Sequence, residues 1–246
     1  MIPALEISDL NKAFGGVSAT SGVEMRVMPG ARHLIIGPNG AGKTTLFNLI
    51  SGDLYGDSGS IRLFGREVSR LPPHRRAHLG LARTYQIITL FGEESLEHNL
   101  VLSQLGLSPL RWRPFAPLDR FGELRQEARA VLARVNLDHL AERRLGELSY
   151  GERRRAEMAM ALAQRPRLLL LDEPFAGLSR EERTVLKDLI AGVPREVTII
   201  LIEHDMDIAL ELAERITVLH YGKVIVDGTR AEVVADPRTR EVYLGD

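Results

Sequence analysis

Gly37-Pro38-Asn39-Gly40-Ala41-Gly42-Lys43-Thr44 carries the spacing Gly-x-x-x-x-Gly-Lys-Thr, with a second threonine at Thr45. A short apolar run, 33–36, leads into it and predicts a strand; residues 43–50 read as the helix that follows. Glycines let the backbone curl so that its N–H groups point inward at a polyphosphate, and the helix N-terminus adds partial positive charge at the same place. Lys43 can bridge the terminal phosphates. Thr44 offers a hydroxyl to magnesium, a hard cation that prefers oxygen ligands. The plain alternative is a glycine-rich turn that happens to precede a helix.

Further along, Leu168-Leu-Leu-Leu-Asp172-Glu173 supplies a complementary half. Four apolar residues predict a buried strand whose C-terminal edge delivers two carboxylates to the crevice where α/β sheets bind ligands. Asp172 suits magnesium, directly or through water. Glu173 suits orientation of an attacking water, because in-line phosphoryl transfer needs a positioned nucleophile and charge stabilisation. Either residue could instead merely cap the next element. Apolar runs at 197–202 and 216–219, separated by amphipathic stretches, extend a mostly parallel sheet covered on both faces.

Around this core the pattern changes twice. Leu5 and Ile7, then Val23, Met25 and Val27, alternate with polar neighbours as half-buried antiparallel strands do. A further strand pair is expected at 60–64 and 81–86, ending that antiparallel layer. Between 95 and 148, Leu124, Ala128, Val131, Leu132 and Val135 fall on one helical face, predicting a helical subdomain. Residues 108–117 contain three prolines, which predict a surface loop. The expected organisation is one domain over 1–246, with 1–94 and 149–246 as catalytic core and 95–148 as the helical part.

Bulk properties narrow the class. In 246 residues, 32 basic against 33 acidic side chains leave a formal charge of -1, so no global field attracts nucleic acid. With 5% aromatic residues the core must be aliphatic, and the absence of cysteine excludes disulfides and thiolate zinc sites. The N-terminal stretch has Glu6 and Asp9 rather than the basic-then-apolar pattern of a secretory signal. Its apolar runs are far shorter than the roughly 20 residues that span a bilayer.

Leu148-Ser149-Tyr150-Gly151-Glu152, immediately ahead of the helical pattern 153–164, resembles the Leu-Ser-Gly-Gly-Gln signature of ABC ATPases. Tyr150 and Glu152 depart from it, while the serine and second glycine remain. Ser149 alone could be an ordinary helix cap. The resemblance covers nearly the whole chain and implies an α/β P-loop NTPase (RecA-like) core with a mostly parallel sheet, an N-terminal antiparallel β subdomain and an inserted α-helical subdomain. It implies ATP and Mg2+ as cofactors, with Thr44, Gln86 and Asp172 toward the metal. It also implies Glu173 and His204 as the catalytic pair, Phe14 stacked on adenine, and Ser149, Gly151 and Glu152 closing over ATP held by a second subunit. Pro174-Phe-Ala-Gly-Leu-Ser179 resembles the loop that crosses the dimer interface, with Ser179 where aspartate is frequent.

Finer likenesses lie in residues 37–52, Ala82-Arg-Thr-Tyr-Gln86, Ile202-Glu-His-Asp-Met206 and Val242-Tyr-Leu-Gly245. They are similar to the longer ATPase subunit of branched-chain amino-acid importers. That resemblance implies transmembrane permease subunits, a second ATPase subunit that is identical or paralogous, a periplasmic substrate-binding protein acting indirectly, and no nucleic acid. The expected location is peripheral, on the cytoplasmic face of the inner membrane. Urea, amide, aromatic-acid and lipopolysaccharide systems remain alternatives; a soluble ABC ATPase acting on nucleic acid and a phosphotransferase are the rivals from other classes. Arg111-Trp112-Arg113 is a docking candidate or a plain surface loop. Arg153-Arg-Arg155 reads as a solvated helix face with one arginine paired to a carboxylate, or as a phosphate contact.

Overall fold

Period-2 alternation at the start of the chain becomes β1 (Leu5–Phe14) and β2 (Val17–Val27), which pair antiparallel. Their alternate side chains Leu5, Ile7, Val23, Met25 and Val27 are buried. β3 (Arg32–Ile36) follows, buried in every residue, then the phosphate-loop sequence and α1 (Lys43–Ser51). β4 (Ser58–Leu63), β5 (Arg66–Glu67), α2 (Pro73–Ala77) and β6 (Leu81–Arg83) come next. The helical stretch holds α3 (Leu96–Leu105), α4 (Gly122–Arg134) and α5 (Tyr150–Ala163). The α/β rhythm returns with β7 (Leu168–Asp172), α6 (Arg180–Ala191), β8 (Thr198–Ile202), α7 (Met206–Leu212), β9 (Arg215–His220), β10 (Lys223–Thr229), α8 (Arg230–Ala235) and α9 (Pro237–Leu244). This computed structural model describes residues 1–85, 91–112, 122–204 and 206–244.

The chain forms two compact units, one of residues 1–83, 167–173 and 193–246, the other of residues 84–166 and 174–192. The first contains a four-stranded sheet in the order β2-β1-β4-β5 and a six-stranded sheet in the order β10-β9-β3-β8-β7-β6. From β9 to β6 the neighbours of the second sheet are parallel, and β10 closes it as an antiparallel hairpin partner. α1 joins the two sheets in one core: Phe47 and Ile50 share a cluster with Leu5, Ile7 and Ile61 of the antiparallel sheet and with Ile35, Leu168 and Ile200 of the parallel one.

One strand assignment needs correction. Residues 81–83 do not pair with β4; they run parallel to β7, with Leu81 level with Leu168. Leu81 and Ala82 are buried, and the Leu168 amide donates to the Gly80 carbonyl. Three residues are too few for a period to distinguish an edge of one sheet from an edge of the other. Residues 109–112 also depart from a plain loop, forming a short 3-10 helix.

In the second unit, Leu96, Leu100 and Val101 of α3 pack with Ala128 and Leu132 of α4 and with Ala156, Ala159 and Met160 of α5. Leu189 of α6 leans on the same cluster. α5 and α6 thus share a core with the helical segment, so this unit extends beyond 95–148.

Two buried polar side chains in the first unit, Arg76 and His33, are held by hydrogen bonds. Arg76 is fully buried and donates to the carbonyls of Leu49 (2.6 Å), Ile50 (2.8 Å) and Leu71 (2.9 Å), closing the C-terminal turn of α1. Burial lowers its pKa to about 10, so it stays charged at neutral pH. His33 on β3 lies 2.7 Å from the Thr217 hydroxyl, which donates to Asp227. Burial pushes the His33 imidazole down to about 4 although Asp227 pulls it up.

Two outcomes follow for stability. Arg76→Met leaves the buried Leu49 and Ile50 carbonyls without their donor and should cost about 2–4 kcal/mol, read as a lower urea midpoint. An imidazole depressed from 6.5 to about 4 is neutral when folded but binds a proton when unfolded across that interval. Stability is therefore lost as pH falls from 6.5 to 4, by about 3 kcal/mol for this one group. In His33→Gln the urea midpoint should decline less steeply over the same range.

Candidate functional site

The phosphate-loop sequence leaves the buried strand β3 at Gly37, where a Cβ would run into the Leu219 carbonyl. Gly42 has φ 100°, and a Cβ there would strike the Ala19 carbonyl. The loop is pinned by Ala41 N–H to the Pro38 carbonyl (3.1 Å) and by Gly222 N–H to the Ala41 carbonyl (3.0 Å). α1 begins at Lys43 with no side-chain cap and no acidic residue in its first turn. Its first amides and its positive dipole end therefore face the loop without a cap or an acid from their own turn.

Lys43 is buried, and its ammonium donates to the carbonyls of Gly37 (2.7 Å) and Pro38 (3.0 Å). Burial lowers its pKa, opposed by Glu173 and Asp172. Thr44 is exposed and Thr45 half-buried. Asn39 and Gly40 lie on the exposed outer side of the loop.

Parallel pairing sets Asp172 level with Ile202, so the residues that follow β7 and β8 leave from the same sheet edge. Asp172 is buried, and its Oδ2 accepts from Arg83 Nη2 at 2.9 Å. Burial raises the Asp172 pKa, against the pull of Arg83. Arg83 was not among the residues singled out in the sequence; its other nitrogen donates to Asn48 Oδ1 (2.7 Å), Ser51 Oγ (3.0 Å) and Asp53 (3.1 Å). A cation ending a short apolar strand was the available signal, but the expected pairing with β4 pointed it elsewhere.

Glu173 adopts φ 47°, a left-handed conformation that costs a non-glycine residue roughly 1 kcal/mol or more. Its N–H donates to the Ile202 carbonyl at 3.0 Å, holding the turn. In that turn its Oε1 meets His204 Nε2 at 2.6 Å. Glu203, buried beside them, accepts the His204 N–H at 2.9 Å. The two side chains expected to act together are thus in contact, although 31 residues separate them.

Phe14 ends β1 and is 47% exposed, which argues against a core role; Lys12 Nζ stands 5.4 Å from its ring centroid. In the second unit, Ser149 caps α5 through a reciprocal box: Glu152 N–H to Ser149 Oγ (3.3 Å) and Ser149 N–H to Glu152 Oε2 (2.7 Å). The bond from the Ser149 amide lowers the Glu152 pKa. A Cβ at Gly151 would collide with the Glu182 carboxylate. Ser179 caps α6 in the same way with Glu182.

The Arg153 to Arg155 run is not a solvated face. Arg153 donates to the Leu148 carbonyl at 2.9 Å, Arg155 to Val135 and Asn136, and Arg154 is buried against Glu157 at 3.0 Å. The paired arginine that was expected is there, within a face otherwise bonded to backbone. Gln86, Arg113 and Asp205 lie outside the described residues. No helix among the described residues is long and apolar enough to cross a membrane.

The family model described as ABC transporter matches residues 20–176, more than half of the chain. The chain belongs to the ABC transporter family. Among its relatives, the high-affinity branched-chain amino acid transport ATP-binding protein BraF of Pseudomonas aeruginosa is 40% identical, covering 99% of this chain and 98% of that one. The lipopolysaccharide export system ATP-binding protein LptB of Acidithiobacillus ferridurans is 37% identical, covering 100% and 98%. A crystal structure of the ADP conformation of MJ1267, an ATP-binding cassette of an ABC transporter, superposes with a TM-score of 0.88 at 30% identity over all of both chains. As an ABC ATPase, this chain binds adenine nucleotide and hydrolyses ATP.

Lys43→Ala removes a charge-assisted donor from the loop interior. It should weaken binding of a fluorescent ATP analogue by roughly 10- to 100-fold, the equivalent of about 1.5–3 kcal/mol.

Proposed function

We propose that this chain is the ATP-hydrolysing subunit powering import of branched-chain or related amino acids through separate membrane permeases. The observation that carries hydrolysis is the Glu173–His204 pair at 2.6 Å, at the sheet edge that also presents Asp172. A carboxylate held against an imidazole beside a phosphate-binding loop suits activation of water, so phosphate leaves to solvent rather than to an organic acceptor. The cargo follows from BraF, whose name states branched-chain amino acid transport and whose likeness runs end to end. LptB supports lipopolysaccharide export as the alternative cargo, at slightly lower identity.

In this reading the loop of Gly37, Pro38, Asn39, Gly40, Ala41 and Gly42, with Lys43, Thr44 and Thr45, wraps the phosphates, and Phe14 stacks on adenine. Glu173 accepts a proton from the attacking water while His204 orients it and contacts the terminal phosphate. The donor set fits magnesium, since the exposed Thr44 hydroxyl and the Asp172 carboxylate are hard oxygens, with Gln86 a third. When bound, that ion supplies neutralisation of charge developing on the phosphates. Asp172 is kept ready for it by Arg83, whose guanidinium holds the buried carboxylate in place.

Ser149 and Gly151 grip the ATP of a second ATPase subunit, identical or paralogous, and Glu152 braces that turn through its cap. The unit of residues 1–83, 167–173 and 193–246 acts as the catalytic core, and 95–148, within the helical unit, as the part that meets the permeases. The chain works peripherally at the cytoplasmic face of the membrane, and a periplasmic substrate-binding protein acts on it only through the permeases.

Glu173→Gln should lower phosphate release roughly 100-fold or more while ATP binding persists, which single-turnover kinetics would separate. Turnover at the wild-type rate would remove Glu173 from the role of base. Co-reconstituted with its permeases and binding protein, the chain should hydrolyse ATP faster when leucine is added. Stimulation by lipopolysaccharide instead would transfer the cargo to the alternative.

A further inference from the structure

Tyr150, one of the two residues by which the signature departs from Leu-Ser-Gly-Gly-Gln, is held at its hydroxyl although its ring is partly exposed. Its hydroxyl donates to the Ala176 carbonyl at 3.1 Å and accepts from Arg154 Nε at 3.1 Å and Nη2 at 2.9 Å. A phenolic oxygen has one proton to give and two lone pairs, so all of its capacity is used. The Arg154 guanidinium also stands 5.3 Å from the Tyr150 ring centroid and is anchored by the buried Glu157 at 3.0 Å. Its Nη1 reaches back to the Tyr85 carbonyl at 3.4 Å.

The segment on the far side is shaped to receive this ring. Gly177 has φ 75° and lies so close that a Cβ there would sit 3.0 Å from the ring edge. Further along, the Glu182 carboxylate backs onto Gly151 while accepting the Ser179 N–H at 2.9 Å. The turn 149–151 and the loop 174–179 with its following helix therefore touch at two separate points. Loop 174–179 begins at the residue after Glu173.

We propose that Tyr150 is a positioning residue that latches the turn 149–151 to the loop 174–179, with Arg154 and Glu157 holding its hydroxyl in place. A displacement of the loop that follows this subunit's own water-activating glutamate is thereby delivered to the turn that grips its neighbour's ATP. The inference rests on the reading of Ser149 and Gly151 as contacts to a second subunit's nucleotide. A glycine at 150 offers no hydroxyl and no ring, so the latch belongs to this variant of the signature.

Hydrogen exchange on the full chain, with and without magnesium and a non-hydrolysable ATP analogue, tests it. In the wild type, nucleotide should slow amide exchange in the loop and in the turn by similar factors, at least about fivefold. Tyr150→Phe keeps the ring and its cation–π contact but loses the hydroxyl. It should retain the slowing in the loop while that of the turn falls below about twofold. Arg154→Lys, which preserves the charge opposite Glu157 but not the fork, should do the same and serves if the phenylalanine variant misfolds. Equal slowing of the turn in wild type and variants, or a wild-type turn that does not follow its loop, overturns the latch. A phosphate loop, 37–44, that shows no slowing in any of these proteins would instead defeat the nucleotide-binding reading itself.

Discussion

Parallel registration of β7 on β8 places Asp172 opposite Ile202, and the chemistry of the first unit depends on it. Side chains along a strand alternate between faces, so a slip of one residue would turn Asp172 away from Arg83 and separate Glu173 from His204. Both strands are buried on both faces, so an apolar pattern alone does not set the register; bonds at the two ends do, from Thr198 N–H to the Arg167 carbonyl and from Glu173 N–H to the Ile202 carbonyl. The left-handed turn at Glu173 is a local cost of the same arrangement, compensated by its N–H bond to Ile202.

Arginine does much of the joining in this aliphatic protein. Arg32 donates to the Val193 and Val197 carbonyls, Arg76 ties the end of α1, Arg83 steadies Asp172, and Arg154 braces the signature turn. A planar fork with five donors can satisfy several carbonyls at once, which a lysine cannot. With few aromatic rings to fill gaps, these buried forks act as the cross-links between segments distant in sequence.

What could be read from the sequence was what is local. The phosphate loop, the acidic pair ending an apolar run and the helical face at 124–135 each lie within one or two elements, so spacing alone identified them. His204 required only that the next strand return to the same edge, a property of parallel sheets. By contrast, the partner of residues 81–83 is chosen by tertiary packing, and three residues carry no period from which to infer it. Arg83 was hidden for that reason. Glu152 looked like an imperfect glutamine, whereas its place three residues after Ser149 makes it half of a capping box; Glu182 against Gly151 had no sequence-local trace.

Among the described residues, three helices start on reciprocal boxes built from Ser149 and Glu152, Ser179 and Glu182, and Thr229 and Glu232. α1, like the short α2, starts without a side-chain cap or an acid in its first turn. A carboxylate there would strengthen the helix yet fill the place meant for phosphate. In the proposed reading the nucleotide's phosphates take the place of that cap, so occupancy would add to the protein's resistance to heat. The empty chain would then be its least durable form, and either adenine nucleotide would firm it.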